Sequence, residues 1–176
     1  HVRSRRQRQM CIRDRRLEAG GAECVVLCTN TMHKVAGQIE AAIGVPFVHI
    51  ADPVVQAAQA AGTLSVGLLG TAFTMEQAFL KGRLEDQGLK VLVPDAAQRQ
   101  AVHRIIYEEL CVGVVSESSR RLYQHVIDGL QARGAEAIIL GCTEIGLLLK
   151  PEHSALPLLD TTELHARAAV DFALLE

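Results

Sequence analysis

The chain has 176 residues, 49% of them apolar, and a formal net charge of −2. That length suits one domain or two small lobes sharing a core. No stretch approaches the roughly 18 consecutive apolar residues of a membrane-spanning helix, so that class is excluded. The small net charge hides an asymmetry: residues 1–16 carry seven arginines against the single acid Asp14, while the remainder carries 11 basic and 19 acidic groups, a net of −8. Arginine clusters neutralise phosphates, but no base-stacking aromatic accompanies this one and no nucleic-acid module follows it. A secretory signal is excluded by the lack of an apolar core, and four scattered apolar residues do not make the amphipathic helix of a transit peptide. Residues 5–14 match the translation of a transposase-type sequencing adapter, so 1–16 are expected to be a non-native or disordered basic tail, with the biological chain starting near Arg15 or Arg16. Five cysteines (Cys11, Cys24, Cys28, Cys111, Cys142), an odd number without a CxxC or Cys/His cluster, suggest reduced thiols in the cytoplasm and no metal.

From Leu17 onward, apolar runs alternate with amphipathic segments. Strands are expected over 23–27, 47–50, 64–69, 91–93, 137–140 and 156–159. Helices are expected over 31–43, 52–61, 75–87 with Thr74 as its cap, and 143–149. A long helical region over 96–133 should break near 113–116, with Ser116 capping its second part, and a final helix should span 162–175. This alternation predicts an α/β fold with a largely parallel sheet. One stretch is echoed within the chain. Gly21-Ala22-Glu23 leads through an apolar run to Cys28-Thr29, and Gly134-Ala135-Glu136 leads through another to Cys142-Thr143. Two copies suggest two related βα halves facing each other.

Ligands of open α/β sheets bind beyond the carboxyl ends of the strands, where helix N-termini present free N–H groups. Cys28 and Cys142 fall there, and a helix N-terminus is expected to lower a thiol pKa. Cys24 and Cys111 read as small buried hydrophobes. Two thiols across one cavity suit inversion of a stereocentre: one takes a proton from one face of a carbon and the other returns a proton to the opposite face. The intermediate gathers negative charge, which Thr29, Asn30, Thr31, Thr71, Thr74, Thr143 and nearby amides could stabilise; Thr31 and Thr74 also suit plain helix caps. His33 suits a surface or capping role, His165 is a candidate to approach the cleft, and His49, His103, His125 and His153 belong to no recognisable constellation. The lysines (Lys34, Lys81, Lys90, Lys150) lie in no pyridoxal-phosphate motif.

The segments 27–33 (Leu-Cys-Thr-Asn-Thr-Met-His), 69–75 (Leu-Gly-Thr-Ala-Phe-Thr-Met) and 140–145 (Leu-Gly-Cys-Thr-Glu-Ile) resemble motifs of the aspartate/glutamate racemase family, in its aspartate racemase branch. The resemblance extends over 17–176 and includes Pro157 to Thr162 and His165. It implies two pseudo-symmetric lobes, 17–62 with 159–176 and 63–158, and a cofactor-independent amino-acid racemisation in the cleft between them. Cys28 and Cys142 would be the two bases, with the threonines and Asn30 around the substrate. Glu144 stands where glutamate racemases typically carry histidine, which favours aspartate or a broader amino-acid range. Family members begin with a strand and a Gly-rich loop that have no match here, so about 60 residues, two βα units at ~30 each, are expected to be missing and activity to be impaired. A maleate isomerase, a hydantoin racemase, an arylmalonate decarboxylase or a non-catalytic carboxylate-binding protein remain alternatives. The expected partner is a small amino acid, with neither nucleic acid nor membrane, and a homodimer is left open.

Overall fold

A computed structural model describes residues 12–174. The expected tail therefore lies mostly outside the described residues, as does Cys11. Its last part, 12–16, is ordered as the start of a helix over 12–19 (α1), where Arg15 Nε donates to Ala42 O at 3.1 Å. A short parallel pair follows, β1 (Val25–Val26) against β2 (Phe47–Val48). Between them lie a 3-10 turn over Thr31–Val35 and α2 (Ala36–Glu40), where one continuous helix to residue 43 was expected. The remaining elements are α3 (Ala51–Ala60), β3 (Ser65–Gly70), α4 (Ala72–Glu76), α5 (Ala78–Asp86), β4 (Lys90–Leu92), α6 (Ala96–Glu108), α7 (Glu117–Ala132), β5 (Ala137–Gly141), α8 (Ile145–Leu148), β6 (Leu158–Asp160) and α9 (Thr161–Leu174). The second sheet is all parallel in the order β4-β3-β5-β6. The α/β class with parallel sheets is thus as the alternating pattern required.

Strand alternation sets the layers. Val66 and Leu68 of β3 and Ala137 and Ile139 of β5 face a core closed by α3 and α5 through Val54, Val55, Leu80 and Leu84. Leu69, Ile138 and Leu140 face the opposite core, closed by α6 and α7 through Val102, Ile106, Tyr123, Ile127 and Leu130. Both faces being covered explains why the strands read as continuous apolar runs. Ser116 caps α7 as expected, accepting from Ser119 N at 3.1 Å. Thr74 does not cap the helix after β3. The strand ends at Gly70, so Thr71 takes the extended conformation, and its Oγ1 accepts from Thr74 N at 3.4 Å; the helix then breaks at Gln77.

The internal echo is structural. Gly21 and Gly134 both have φ of +93°, each closing a helix: Ala22 N donates to Leu17 O and Ala135 N to Leu130 O, both at 3.0 Å. One strand further on, Val25 N donates to Pro46 O and Ile138 N to Pro157 O. After the partner strands, His49 Nδ1 accepts from Ala51 N and Asp160 Oδ1 from Thr162 N.

Three buried histidines join the small sheet to α9. The His33 and His49 ring centroids are 4.5 Å apart and those of His33 and His165 5.9 Å. His33 Nδ1 donates to Thr29 O at 2.8 Å while its Nε2 accepts from Ile50 N at 3.1 Å, which fixes its neutral tautomer. His165 Nε2 lies 2.7 Å from Val48 O. Burial, reinforced by the neighbouring rings, pushes His33 down to about 4 and His49 to about 3. His33 is therefore an internal brace and not a surface residue, and His49 belongs to a constellation after all.

Two outcomes are expected. Because the folded-state pKa values lie below the ordinary 6.5, the stability held by the neutral rings is complete above pH 6.5 and is lost as the pH falls from there through about 4. Denaturant midpoints measured from pH 7 to pH 5 should fall, with a shallower slope in His33→Gln. A Cβ on Gly141 would stand 2.9 Å from Leu69 O and 3.1 Å from Leu68 Cδ1, so Gly141→Ala should cost about 1–3 kcal/mol in chemical denaturation.

Candidate active site

The carboxyl ends of β1, β3 and β5 open onto a cavity of about 190 Å³. Drug-sized ligands occupy pockets of roughly 300 Å³ or more, so this space suits something smaller. The loop after β1 contributes Cys28, Thr29, Asn30 and Thr31; the end of β3 contributes Thr71; β5 and its following turn contribute Gly141, Cys142, Thr143 and Glu144. The rest of the lining is Ile106 and Tyr107 from α6 with Cys111 from the 3-10 turn Leu110–Val112. Both cysteines, Asn30 and the threonines singled out from the sequence are therefore at this cavity, except Thr74. That side chain is fully buried behind it, with Oγ1 3.2 Å from Thr71 Oγ1 and its methyl in the space a Cβ on Gly70 or Gly141 would need. His165 is also absent from the lining and faces Val48 instead.

Cys142 is half-buried, and its thiol donates to Glu144 Oε2 at 2.9 Å. Thr143 Oγ1 donates to the same oxygen at 2.6 Å. Burial first, and then the adjacent carboxylate that accepts its proton, pushes the Cys142 thiol up to about 12. The expected lowering by a helix N-terminus is thus reversed: α8 has only four residues, and Glu144 turns its carboxylate toward the thiol. Burial works against the Glu144 carboxylate, but the two hydrogen bonds outweigh it and hold Glu144 below the usual carboxylate range.

Cys28 is exposed at the mouth of the cavity. The path from the matched hydrogen bonds at Val25 and Ile138 to the cysteine is one residue longer in the second half, because β5 runs on to Gly141 while β1 ends at Val26.

Asn30 is 5% exposed and acts as the fastener between the two halves. Its Nδ2 donates to Thr161 Oγ1 at 3.0 Å, and Thr161 Oγ1 donates to Leu140 O at 2.8 Å. Because the Thr161 proton is spent on Leu140, the amide can only be oriented nitrogen-first, which leaves the buried Asn30 Oδ1 without a partner. The α6 side of the cavity is tied down through His103, whose Nδ1 accepts from Ala72 N at 3.2 Å and whose ring packs 4.8 Å from that of Tyr107.

Sequence reasoning missed Ile106, Tyr107, Cys111 and a direct part for Glu144. Cys111 is exposed and at the cavity, not a buried hydrophobe, because it follows the end of α6 in a turn closed by Gly113 at φ +80°. A larger hollow of about 710 Å³ lies beyond the histidines, but its central charge is already matched: Arg83 forks onto Asp52 at 2.9 and 2.8 Å. Among the described residues no three His, Cys, Asp or Glu side chains gather to hold a metal ion, and no helix is long and apolar enough to cross a membrane.

Comparison with known proteins agrees with this geometry. The structure superposes on an Asp/Glu racemase, so assigned provisionally, from Yersinia pestis, with a TM-score of 0.92, 50% identity, and coverage of 96% of this chain and 74% of that one. An aspartate racemase homologue from Pyrococcus horikoshii gives a TM-score of 0.88 at 32% identity, with the same coverage. The broad specificity amino-acid racemase RacX of Bacillus subtilis is 26% identical over 155 residues, which are 88% of this chain and 66% of RacX. The family model for Asp/Glu/hydantoin racemases matches residues 5–169, and the chain belongs to that family.

Proposed function

We propose that this chain carries the site of an amino-acid racemase, an isomerase that removes the proton from Cα on one face and returns a proton on the other. The observation that carries the reading is the Cys142 thiol held by Glu144 in a cavity of amino-acid size, facing the loop that bears Cys28 and Thr29. Cys142 in its resting form is a loaded acid. The group opposite must start as the base, and when the carbanion forms Cys142 gives up its proton, leaving a thiolate that serves as the base for the return reaction. The Thr31 hydroxyl, which makes no side-chain hydrogen bond among the described residues, and the amides of the loop after β1 are placed to meet the charge that builds on the substrate carboxylate. No cofactor enters this scheme.

The opposite base in this reading is Cys28, a competent nucleophile by residue type and a lining residue of the cavity. Residues 17–62 with 159–176, and 63–158, form the two lobes in this scheme, and β6 crosses the second boundary to pair with β5. The proposed setting is cytoplasmic, in keeping with four free cysteines among the described residues. The substrate is an amino acid, with aspartate or a broader range expected from sequence.

The test follows α-proton exchange and optical inversion of amino acids in deuterated water. Cys142→Ala should lose roughly 10²–10⁴-fold in rate, the usual worth of a general acid–base group. Unchanged inversion in Cys142→Ala would overturn the proposal. Cys28→Ala should lose inversion as well, and inversion kept in that variant would remove Cys28 from the scheme. A separate measurement concerns Glu144. Since its carboxylate is the main cause after burial of the raised Cys142 pKa, Glu144→Gln should bring the thiol well below about 12, read as thiolate ultraviolet absorbance against pH in a variant keeping only that cysteine.

A further inference from the structure

The loop that carries Cys28 is held in place from behind. Thr29 N donates to Leu27 O at 2.8 Å, which closes a three-residue turn with Cys28 at its centre. The other polar end of the same residue is also taken: Thr29 O accepts from His33 Nδ1 at 2.8 Å, and His33 N returns to Asn30 O at 3.1 Å. The peptides on either side of Thr29 therefore cannot rotate without breaking a hydrogen bond.

His33 has an anchor of its own. Its Nε2 accepts from Ile50 N at 3.1 Å, and Ile50 is the residue that opens α3. In the first turn of that helix Asp52 takes the fork of Arg83 at 2.9 and 2.8 Å, together with Gln87 Nε2 at 3.0 Å, so the helix start is fixed against α5 and the residue after it. The His33 ring is 2% exposed and lies 5.7, 4.5 and 5.9 Å from the rings of Phe47, His49 and His165, which leaves it little freedom to follow a moving loop. One imidazole thus ties the turn around Cys28 to a helix end held from α5.

We infer that His33 is a positioning residue for the reaction: through Thr29 it sets where the Cys28 thiol stands relative to the substrate carbon. The inference rests on the reading of Cys28 as the base opposite Cys142. The ring is not part of the cavity lining, so it acts through the turn and not on the substrate. A displacement of about 1 Å in a reacting group is enough to cost about 10²-fold in rate.

The experiment uses three substitutions that divide the two hydrogen bonds. His33→Asn sets an amide nitrogen where Nδ1 stands and keeps the donor to Thr29; His33→Gln sets an amide oxygen near Nε2 and keeps only the bond from Ile50; His33→Phe keeps the ring packing and neither bond. Inversion kinetics give kcat and KM, and residue-resolved amide exchange by NMR reports on the turn without any substrate. In His33→Gln and His33→Phe kcat should fall about 10²-fold with KM changed by less than about threefold, while His33→Asn stays within about tenfold of the parent chain. Exchange of the Thr29 N–H should accelerate at least about tenfold in His33→Gln and His33→Phe but not in His33→Asn, with the amides of β3 and β5 unchanged throughout. A merely structural role would speed exchange in all three variants alike and lower activity only with the folded fraction. That pattern, or equal kcat in His33→Asn and His33→Gln, overturns the inference. If the parent chain inverts no amino acid, the racemase reading fails, and the Thr29 exchange pattern still upholds or overturns the placement of the turn by His33.

Discussion

The relay from Asn30 through Thr161 to the Leu140 carbonyl is the constraint on which the site depends. It joins three segments far apart in sequence: the loop after β1, the first residue of α9 and the end of β5. Thr161 is fully buried, so its two hydrogen bonds are made away from water. Each such bond contributes about 0.5–1.5 kcal/mol net, but a buried partner left unsatisfied costs about 1–3 kcal/mol. The relay therefore acts less as glue than as a penalty against any arrangement that separates the two loops. It also fixes the amide's orientation, because using the Thr161 proton on Leu140 turns the Asn30 nitrogen toward Thr161 and leaves its buried oxygen without a partner.

The loops it joins are each rigid for their own reason. Thr29 and Ile50 are bridged by one neutral imidazole, His33, whose two ring nitrogens play opposite parts; protonation would turn an acceptor into a donor facing an N–H. On the other side, Gly70 pairs with Gly141 at the end of β3 and β5, and Thr74 fills the space both glycines leave. Bulk there would move Thr71 and Cys142 together. Thr74 thus serves the site through packing, although it neither lines the cavity nor caps a helix.

Much of this was legible from residue patterns, and the failures have physical causes. Apolar runs flanked by turn residues located β3 and β5, since strands buried on both faces need apolar side chains at every position. The repeated Gly-Ala-Glu marked a repeated helix end and strand start, down to the φ of its glycine. The pairing of Cys28 with Cys142 brought two thiols of one cavity together, and the sequence match hid only that β5 runs one residue further before its cysteine than the first half does. Glu144 was read as a marker of substrate range, because sequence does not show that a four-residue helix leaves its preceding carboxylate free to turn onto a thiol. Cys111 was hidden by the long α6–α7 region, where helical periodicity says nothing about a side chain in the connecting turn.

The repeat is symmetric in backbone and asymmetric in chemistry. Whether or not a gap is allowed between the repeats, Glu144 falls on Asn30 or Thr31, so the carboxylate bonded to Cys142 has no counterpart on the first half. One half supplies a proton donor stabilised by burial and a carboxylate; the other supplies an exposed thiol, a hydroxyl and an uncharged amide. For any racemisation run at this site the two enantiomers have equal free energy, so the overall equilibrium constant is one whatever the protein does. Unequal groups on the two faces can then change kcat for the two directions only if KM changes in the same proportion. A duplicated fold accommodates this readily: the backbone frame sets two groups across one carbon, and the residues after each strand tune each face separately.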